Sequence, residues 1–224
     1  MSPIRYLIFD LGRVLMHYEP ERIAAHFAAD ADVPLLCEAI FYSPVWEGLD
    51  HGTLTDEEAV AEACRRLPDR LHGKAAEILR EWIYHLPPIA GMEALLRDLR
   101  AHGTPLFLLS NISAHFARHA GEFPVLALFD RCFFSGPLGM IKPNRDIFCH
   151  LLTACGIPAE EALFDFAVQI HVVFVDITKL NTQFAEFRQS NIWHRVWITA
   201  FFDTRNTAGG TCRFGEHLHT RQTA

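Results

Sequence analysis

Short apolar runs that stop at polar residues recur along the first two thirds of the chain. Residues 4–9 read IRYLIF, and their apolar and aromatic content predicts a buried strand that ends just before Asp10. Two later runs, PLFLLSN at 105–111 and RCFFSG at 131–136, predict a second and a third strand. A carboxylate directly after a buried strand is expected to have a polar partner or a functional role, because an isolated charge is costly to remove from water.

Helical signals fill the stretch between the first two strands, at residues 19–86. Helix starts are predicted at Pro20, at Ser43 and at Thr55, where the sequence TDEE fits a capping box. After a double proline, the segment GMEALLRDLRAHG predicts an amphipathic helix that stops at its last glycine. The segments SAHFARHAGEF and NRDIFCHLLTACG predict helices after the second and third strands.

The order of these elements predicts the fold class. One strand precedes a helical block, and helices and strands then alternate, which predicts an α/β protein with a parallel sheet and helices on both faces. Parallel strands present their carboxyl ends at one edge of the sheet. Ligands are therefore expected to bind beyond that edge.

Composition changes after residue 165. Residues 1–165 contain 23 leucines and carry a net charge of −9, whereas residues 166–224 contain two leucines and carry +2. The run VVFVD at 172–176 predicts one more strand, and beyond about residue 190 the pattern predicts loop or a loose tail. A shifted reading frame or a replaced tail would account for this change, and we treat it as a hypothesis.

Bulk composition narrows the functional classes. Half of the 224 residues are hydrophobic, enough for a packed core, and the net charge of −7 argues against a broad nucleic-acid-binding surface. The six cysteines include no C-x-x-C pair, so reduced and mostly buried thiols are expected. No signal peptide or membrane-spanning segment is recognised. We expect a cytoplasmic protein, a monomer or weak homodimer, that acts on a small molecule and binds neither nucleic acid nor membrane.

Polar side chains suited to phosphoryl chemistry follow each of the three predicted strands. Asp10 follows the first, Ser110 and Asn111 end the second, and Lys142 lies in GMIKPN beyond the third. Asp10 can attack phosphorus, Ser110 and main-chain N–H groups can bind phosphoryl oxygens, and Lys142 can neutralise their charge. Together they predict a site for an anionic phosphoryl group, with Mg²⁺ as the expected cofactor.

The motifs that carry these residues resemble those of the haloacid dehalogenase-like (HAD) hydrolase superfamily. IFDLGRVL, LLSNIS and GMIKPN are similar to its first three motifs, and the resemblance extends over residues 4–164. SPVWEGLDHG, LPPIAGM and FSGPLGMIKP are most similar to the sugar-phosphatase branch typified by α-D-glucose-1-phosphate phosphatase. The resemblance implies a Rossmann-like core formed by residues 1–14 and 89–185 and a helical cap at 15–88, with a divergent tail at 186–224.

The resemblance also implies a role for each candidate residue. Asp10 would be the nucleophile and a ligand of Mg²⁺, and the Gly12 carbonyl would be a second ligand. Ser110 and Asn111 would hold the phosphate, and Lys142 would anchor it as a catalytic residue. The implied reaction is hydrolysis of a small phosphate monoester, a sugar phosphate by the branch, through an aspartyl-phosphate on Asp10.

The chain departs from the family pattern at two places that normally carry acidic residues. Most superfamily phosphatases carry a general acid two residues after the nucleophile, where this chain has Gly12, and the sugar-phosphatase branch also tends to lack it. His17 and Glu19, at the entrance of the predicted cap, are alternative general acids. The simpler interpretation is that both side chains are solvated. The fourth motif places one or two metal-binding acids at the end of the next strand. Asp165 lies about one place early for this role, and Asp176 about ten residues late.

Three functional interpretations follow from these motifs. The first is a Mg²⁺-dependent phosphatase acting on a small phosphorylated metabolite, with Asp10, Gly12 and Asp165 as the metal ligands. The second is a catalytically impaired relative whose metal site is left incomplete by the altered C-terminal segment. The third is a 2-haloacid dehalogenase, which also uses an aspartate nucleophile but no Mg²⁺.

Several other conspicuous residues have simpler structural explanations. His115 and His119 are four residues apart, a spacing that can bind a metal, but no third ligand accompanies them and we expect surface histidines. Trp46, Trp82 and Tyr84 lie in the predicted cap and can touch a substrate. We expect them mainly to pack between helices.

Overall fold

The structure is a computed structural model that describes residues 4–165, and within them four strands form one sheet. The strands are β1 Tyr6–Phe9, β2 Leu106–Ser110, β3 Arg131–Phe134 and β4 Ala162–Asp165. They lie side by side in the order β3-β2-β1-β4, and every pair is parallel. The predicted α/β fold with a parallel sheet is confirmed.

The register of the sheet brings the carboxyl ends of the strands to one edge. Phe9, the last residue of β1, pairs with Leu108 of β2 on one side and with Asp165 of β4 on the other. Beyond β2, Ser110 pairs with Phe134 at the end of β3. The residues that follow these strands therefore emerge together, which is the usual ligand-binding edge of a parallel sheet.

Helices occupy the connections between the strands of the described part of the chain. Five α-helices lie after β1, with bounds α1 Pro20–Ala25, α2 Val33–Ala39, α3 Pro44–His51, α4 Asp56–Cys64 and α5 His72–Glu81, together with the 3-10 helices Asp69–Leu71 and Trp82–His85. The next leads into β2 and is α6 Met92–Ala101. The remaining three α-helices are α7 Ala114–His119, α8 Ser135–Leu138 and α9 Arg145–Cys155. Parallel strands need such crossovers, because a tight turn cannot reverse the chain and restart it in the same direction.

Local sequence explains where several helices begin. Pro20 is the first residue of α1, where its missing N–H has no carbonyl to meet. Ser43 precedes α3, and its Oγ accepts a hydrogen bond from the Val45 N–H at 3.2 Å. Thr55 and Glu58 form the predicted capping box, with donor–acceptor distances of 3.2 and 2.9 Å. The three helix starts predicted from the sequence are confirmed.

Each face of the sheet buries its own hydrophobic cluster. In β2, Leu106 and Leu108 face the larger cluster, which includes the buried side of α6 and of the helices between β1 and β2. Phe107 and Leu109 point to the opposite face and pack in the smaller cluster with Ile147 and other buried residues of α9. Burial on both faces explains why β2 reads as a continuous apolar run rather than as an alternating one.

The end of α3 touches α8, the short helix directly after β3, through main-chain atoms. Gly52, which follows α3, has a φ of +70°, and a Cβ built on it would lie 2.1 Å from the carbonyl oxygen of Gly136. Gly136 is crowded too, because its own Cβ would lie 2.6 Å from the Ala114 nitrogen. Only glycine fits at both places, so the sequence of these turns sets how closely α3 approaches the sheet edge.

Several sequence-based predictions lie outside the described residues. They are the strand at 172–176, Asp176 and the tail at 186–224. The division into a core of residues 1–14 and 89–185 and a cap remains a prediction. Within residues 4–165, no helix combines the length and apolar character needed to cross a bilayer.

We expect Gly52→Ala to lower the free energy of unfolding by at least about 1 kcal/mol, because the left-handed backbone and the Gly136 oxygen both oppose a side chain. The measurement is the midpoint of urea unfolding at an unchanged slope. The matched control is Gly73→Ala in α5, where an added Cβ meets no atom within 4 Å. The control should be neutral or stabilising by up to about 1 kcal/mol, and equal effects of the two changes would contradict the prediction.

Candidate active site

A cavity of about 170 Å³ opens at the carboxyl edge of the sheet. Asp10, Gly12, Ser110, Asn111 and Lys142 all line it, so the structure brings together five of the six site residues predicted from the sequence. The sixth, Asp165, is the last residue of β4, and its main chain runs beside Phe9. Chain segments far apart in sequence thus converge on one pocket, as the parallel topology requires.

Asp10 and Lys142 form the central ion pair of the pocket. The Lys142 Nζ lies 2.8 Å from the Asp10 Oδ2, with the two side chains 11% and 24% exposed. Asp10 Oδ1 accepts a hydrogen bond from the Leu11 N–H at 2.8 Å, and Lys142 Nζ donates to the Leu109 carbonyl at 2.9 Å. Burial lowers the pKa of Lys142, and the neighbouring Asp10 carboxylate opposes that shift. One carboxylate oxygen is therefore held by a main-chain donor and the other by an ammonium group.

Asn111 fixes the segment that carries Lys142. Its Nδ2 donates to the Lys142 carbonyl at 2.9 Å, and its Oδ1 accepts from the Lys142 N–H at 2.8 Å. This reciprocal pair binds the main chain of Lys142 to the end of β2. The sequence predicts Asn111 as a phosphate-binding residue, and the structure adds this contact, which positions the lysine.

Ser135 joins three segments around the pocket. Its side chain is fully buried, its Oγ accepts from the Ile112 N–H at 2.8 Å, and it donates to the Asp50 carbonyl at 2.6 Å. The end of β3, the turn after β2 and the last turn of α3 are thereby tied together. Sequence analysis missed Ser135, although a polar residue directly after an apolar run was the signal that identified Asp10.

Asp50 places a second carboxyl group in the pocket, on the side formed by α3. Burial raises the pKa of Asp50 to about 7, the Asp10 carboxylate adds to this rise, and His51 and Lys142 oppose it. Asp50 was not among the predicted residues. The sequence feature that could have identified it is its four-residue spacing from Trp46, which puts both side chains on one face of α3. Both residues line the pocket.

Apolar and aromatic side chains form much of the remaining pocket lining, which we call the wall. Tyr18, Trp46 and Trp82 contact one another in series, with ring centroids 5.8 Å and 4.8 Å apart, and all three line the pocket. Met16 and Leu86 lie on the same wall. The two tryptophans both pack between helices and face the pocket, so the packing role expected from the sequence is only part of what they do.

Tyr84, His17 and Glu19 do not line the pocket. Tyr84 is exposed, and its hydroxyl donates to Glu122 at 3.0 Å. His17 is an exposed side chain near Glu19, 3.7 Å from it, and neither lines the pocket.

The prediction that His115 lies at the surface is wrong. His115 is buried, and its Nε2 lies 2.9 Å from the Arg80 carbonyl. Its Nδ1 lies 3.4 Å from a carboxylate oxygen of Asp56. The ring fills the space between α4, α5 and α7, a burial that its four-residue spacing from His119 could not reveal.

Oxygen atoms suited to Mg²⁺ lie at the end of β1. The Asp10 carboxylate and the Gly12 main chain line the pocket, and the register of the sheet places the main chain of Asp165 next to Phe9, one residue before Asp10. Carboxylate and carbonyl oxygens are the ligands that Mg²⁺ prefers, so the donor chemistry fits this ion. Within residues 4–165, no group of three or more His, Cys, Asp or Glu side chains is arranged to hold a metal.

Comparison with known proteins assigns the family. A sequence model of the haloacid dehalogenase-like hydrolases matches residues 5–164. The chain belongs to this family. The match includes β1 to β3 with Asp10, Ser110 and Lys142, and it confirms the superfamily predicted from the motifs. The sugar-phosphatase branch remains a prediction.

Two curated fungal relatives share this HAD-like region. The sesquiterpene phosphatase astK of Aspergillus oryzae is 29% identical over 160 residues, which cover 70% of this chain and 77% of the relative. The drimenol cyclase drtB of Aspergillus calidoustus is 27% identical over 171 residues. That alignment covers 72% of this HAD-like hydrolase but 30% of the cyclase.

Solved HAD-like structures share the fold. A HAD-like family hydrolase from Porphyromonas gingivalis is 26% identical with a TM-score of 0.56, over 73% of this chain and 82% of that one. A HAD family enzyme from Bacteroides thetaiotaomicron, in complex with magnesium and inorganic phosphate, is 23% identical with a TM-score of 0.58. This second likeness covers 72% of the present chain and 83% of the other. The Rossmann-like HAD fold is therefore confirmed.

We expect Asp50→Asn to stabilise this HAD-like hydrolase at alkaline pH and to change little in acid. The pKa of Asp50 is raised from 3.8 to about 7 in the folded protein, so its neutral carboxyl contributes full stability below pH 3.8, and this contribution is lost as pH rises to about 7. Asparagine does not ionise. Urea unfolding in the absence of Mg²⁺ should show a gain of at least about 1 kcal/mol near pH 8 and a much smaller one near pH 4.

The control for this measurement is Glu47→Gln, an exposed carboxylate on the same helix. Its effect on stability should not differ between the two pH values. A pH-independent effect of Asp50→Asn would contradict the prediction.

Proposed function

We propose that the protein is a phosphatase that hydrolyses a small phosphate monoester, with Asp10 as the nucleophile. The observation that carries this proposal is the pairing of Asp10 with Lys142 at 2.8 Å in a pocket that Ser110 and Asn111 also line. A nucleophilic carboxylate, a hydroxyl group, an amide and an ammonium group are the set that an anionic phosphoryl group requires. The sesquiterpene phosphatase among the relatives supports the same class of reaction.

In the proposed reaction, one Asp10 oxygen attacks phosphorus in line with the ester oxygen. Both Asp10 oxygens have partners, Oδ1 the Leu11 N–H and Oδ2 the Lys142 ammonium group, and either can be the attacking oxygen. Lys142 and the Ser110 hydroxyl bind the phosphoryl oxygens and stabilise their charge in the transition state. Water then attacks phosphorus of the aspartyl-phosphate, releases inorganic phosphate and restores the Asp10 carboxylate.

Mg²⁺ is the proposed cofactor. The Asp10 carboxylate and the Gly12 carbonyl would hold it, with Asp165 as the proposed third ligand, and the ion would neutralise phosphoryl charge when bound. The side chains around the pocket would act together with the ion. Lys142 orients the phosphoryl group, Asn111 orients Lys142, and the aromatic wall excludes water.

The residues that form the wall of the pocket indicate which class of alcohol the substrate contains. A sugar phosphate is the substrate class that the sequence resemblance predicts, and a sugar needs several hydrogen-bonding partners. Apart from Asp10, Gly12, Ser110, Asn111 and Lys142, the lining consists of one carboxyl group on α3 and seven apolar or aromatic residues, Leu11, Met16, Tyr18, Trp46, Trp82, Leu86 and Ile112. This lining favours an alcohol with an apolar body, such as an isoprenoid alcohol, and the sesquiterpene phosphatase relative agrees with it.

A catalytically impaired protein is the second candidate. The change in leucine content and charge after residue 165 favours it, because the family match ends at residue 164. Asp165 or Asp176 would then fail to complete the metal site. The two candidates are separated by phosphate release in the presence of Mg²⁺, which the impaired protein would not support for any ester. The cytoplasmic location and the monomeric or weakly dimeric state remain proposals.

Asp10→Asn should reduce phosphate release by at least about a thousandfold, because an amide cannot form the acyl phosphate. The first measurement is hydrolysis of p-nitrophenyl phosphate with Mg²⁺. The second is mass spectrometry of acid-quenched enzyme, in which only the wild-type peptide containing Asp10 should carry a phosphoryl group. Asp98→Asn, an exposed aspartate on α6, is the matched control and should retain full activity. Equal turnover by the Asp10 variant would remove Asp10 from the nucleophile role.

We expect a prenyl monophosphate to be hydrolysed with a kcat/KM at least about tenfold above that of glucose 1-phosphate, because burial of apolar carbons against the wall stabilises binding. Trp46→Ala should reduce this preference, since Trp46 lines the wall. A preference for the sugar ester would contradict the apolar assignment and support the sugar-phosphatase branch. Chloride release from chloroacetate, measured in the same panel, would instead favour the dehalogenase alternative.

A further inference from the structure

Two carboxyl groups line the described pocket, and they come from different elements of the fold. Asp10 follows β1 in the sheet, and Asp50 belongs to the last turn of α3. Trp46, one turn earlier on α3, lines the pocket beside Asp50, so this face of the helix is directed at the substrate side of the cavity. The charges of Asp10 and Lys142 both act on Asp50, which shows that it lies within electrostatic reach of the ion pair.

The position of Asp50 is fixed by the main chain around it. Its carbonyl accepts the 2.6 Å hydrogen bond from the buried Ser135 hydroxyl. Two residues later, Gly52 packs directly against the carbonyl of Gly136. The carboxyl group of Asp50 therefore projects from a turn that is held against the sheet edge, and such a group can be placed reproducibly on a bound substrate.

The proposed reaction needs an acid, and Asp50 is the one carboxyl group in the described lining besides the nucleophile. Tyr18 also lines the pocket, but burial raises the pKa of its hydroxyl and makes it a weaker proton donor. An alkyl ester leaves as an alkoxide unless its oxygen is protonated as the bond to phosphorus breaks. Gly12 occupies the place two residues after the nucleophile and has no side chain. His17 and Glu19, the alternatives from the sequence, are exposed and do not line the pocket. Lys142 is engaged by Asp10 and the Leu109 carbonyl.

We propose that Asp50 is the general acid that protonates the leaving-group oxygen. This assignment rests on the proposed phosphatase function and goes beyond it by naming the residue that completes the reaction. Because Asp50 comes from the helical segment after β1 and Asp10 from the sheet, the acid and the nucleophile approach the ester from two different parts of the chain.

The proton and the bonds balance over the two steps. In the first, Asp10 forms a bond to phosphorus, the bond from phosphorus to the ester oxygen breaks, and the Asp50 carboxyl proton moves to that oxygen to give the alcohol. In the second, water bonds to phosphorus, Asp50 accepts a proton from that water, and the bond from phosphorus to Asp10 breaks. Inorganic phosphate leaves, and both aspartates return to their starting states. Burial, which raises the pKa of Asp50 to about 7, favours the protonated starting state.

The test compares two esters whose leaving groups differ in their need for a proton. p-Nitrophenolate is a stable anion and leaves without protonation, whereas the alkoxide of an alkyl phosphate does not. The quantity is kcat/KM, which reports the formation of the aspartyl-phosphate and is independent of its later hydrolysis. For Asp50→Asn, kcat/KM should fall by about a hundredfold with the alkyl phosphate and by less than about threefold with p-nitrophenyl phosphate.

Glu47→Gln, an exposed acid on the same helix, is the matched control and should leave both values unchanged. Retained hydrolysis of p-nitrophenyl phosphate by Asp50→Asn also shows that the variant is folded. An equal loss with both esters, or no loss with the alkyl ester, would overturn the assignment of Asp50 and leave the phosphatase function standing. If the wild-type protein hydrolyses neither ester, the phosphatase function fails and the assignment of Asp50 fails with it.

Discussion

Parallel pairing of β1 with β2 and β4 determines the arrangement of the whole site. A parallel neighbour can be reached only by a crossover, so helices must fill the connections and both faces of the sheet must be buried. The same constraint sends the residues after each strand to one edge. Asp10, Ser110 and Lys142 have little in common along the sequence, and they share a pocket because the strands before them point the same way. The ion pair between Asp10 and Lys142 is a product of this topology.

A second layer of contacts holds the pocket in its shape. Asn111 exchanges two hydrogen bonds with the main chain of Lys142, and Ser135 ties the last turn of α3 to the ends of two strands. Both residues are polar and act mainly on main-chain groups. Deleting a partner of such a buried bond leaves a main-chain group without its hydrogen bond, which costs more than the bond contributes on average. The proposed catalytic side chains therefore depend on hydrogen bonds that neighbouring polar residues make to the main chain.

Sequence alone predicted the parts of the fold that depend on local pattern. The strands around Asp10 and Ser110 and the capping box at Thr55 follow from apolar runs and capping chemistry, and the structure has them. The motifs led to the family because their order and spacing are specific. Neither the burial of His115 nor the position of Asp50 in the pocket could be found in this way. Each owes its role to what packs against it from distant segments, and an i, i+4 spacing says only which side of a helix a residue occupies.

The contact between Gly52 and Gly136 consists of main-chain atoms on both sides. Such a contact has no side chain that can be lengthened, shortened or rotated. The separation between α3 and the sheet edge is therefore a fixed quantity that substitutions cannot adjust in small steps. The wall residues can be changed by one methyl group at a time, so substitutions there alter the breadth of the pocket while the approach of α3 to the sheet edge stays constant.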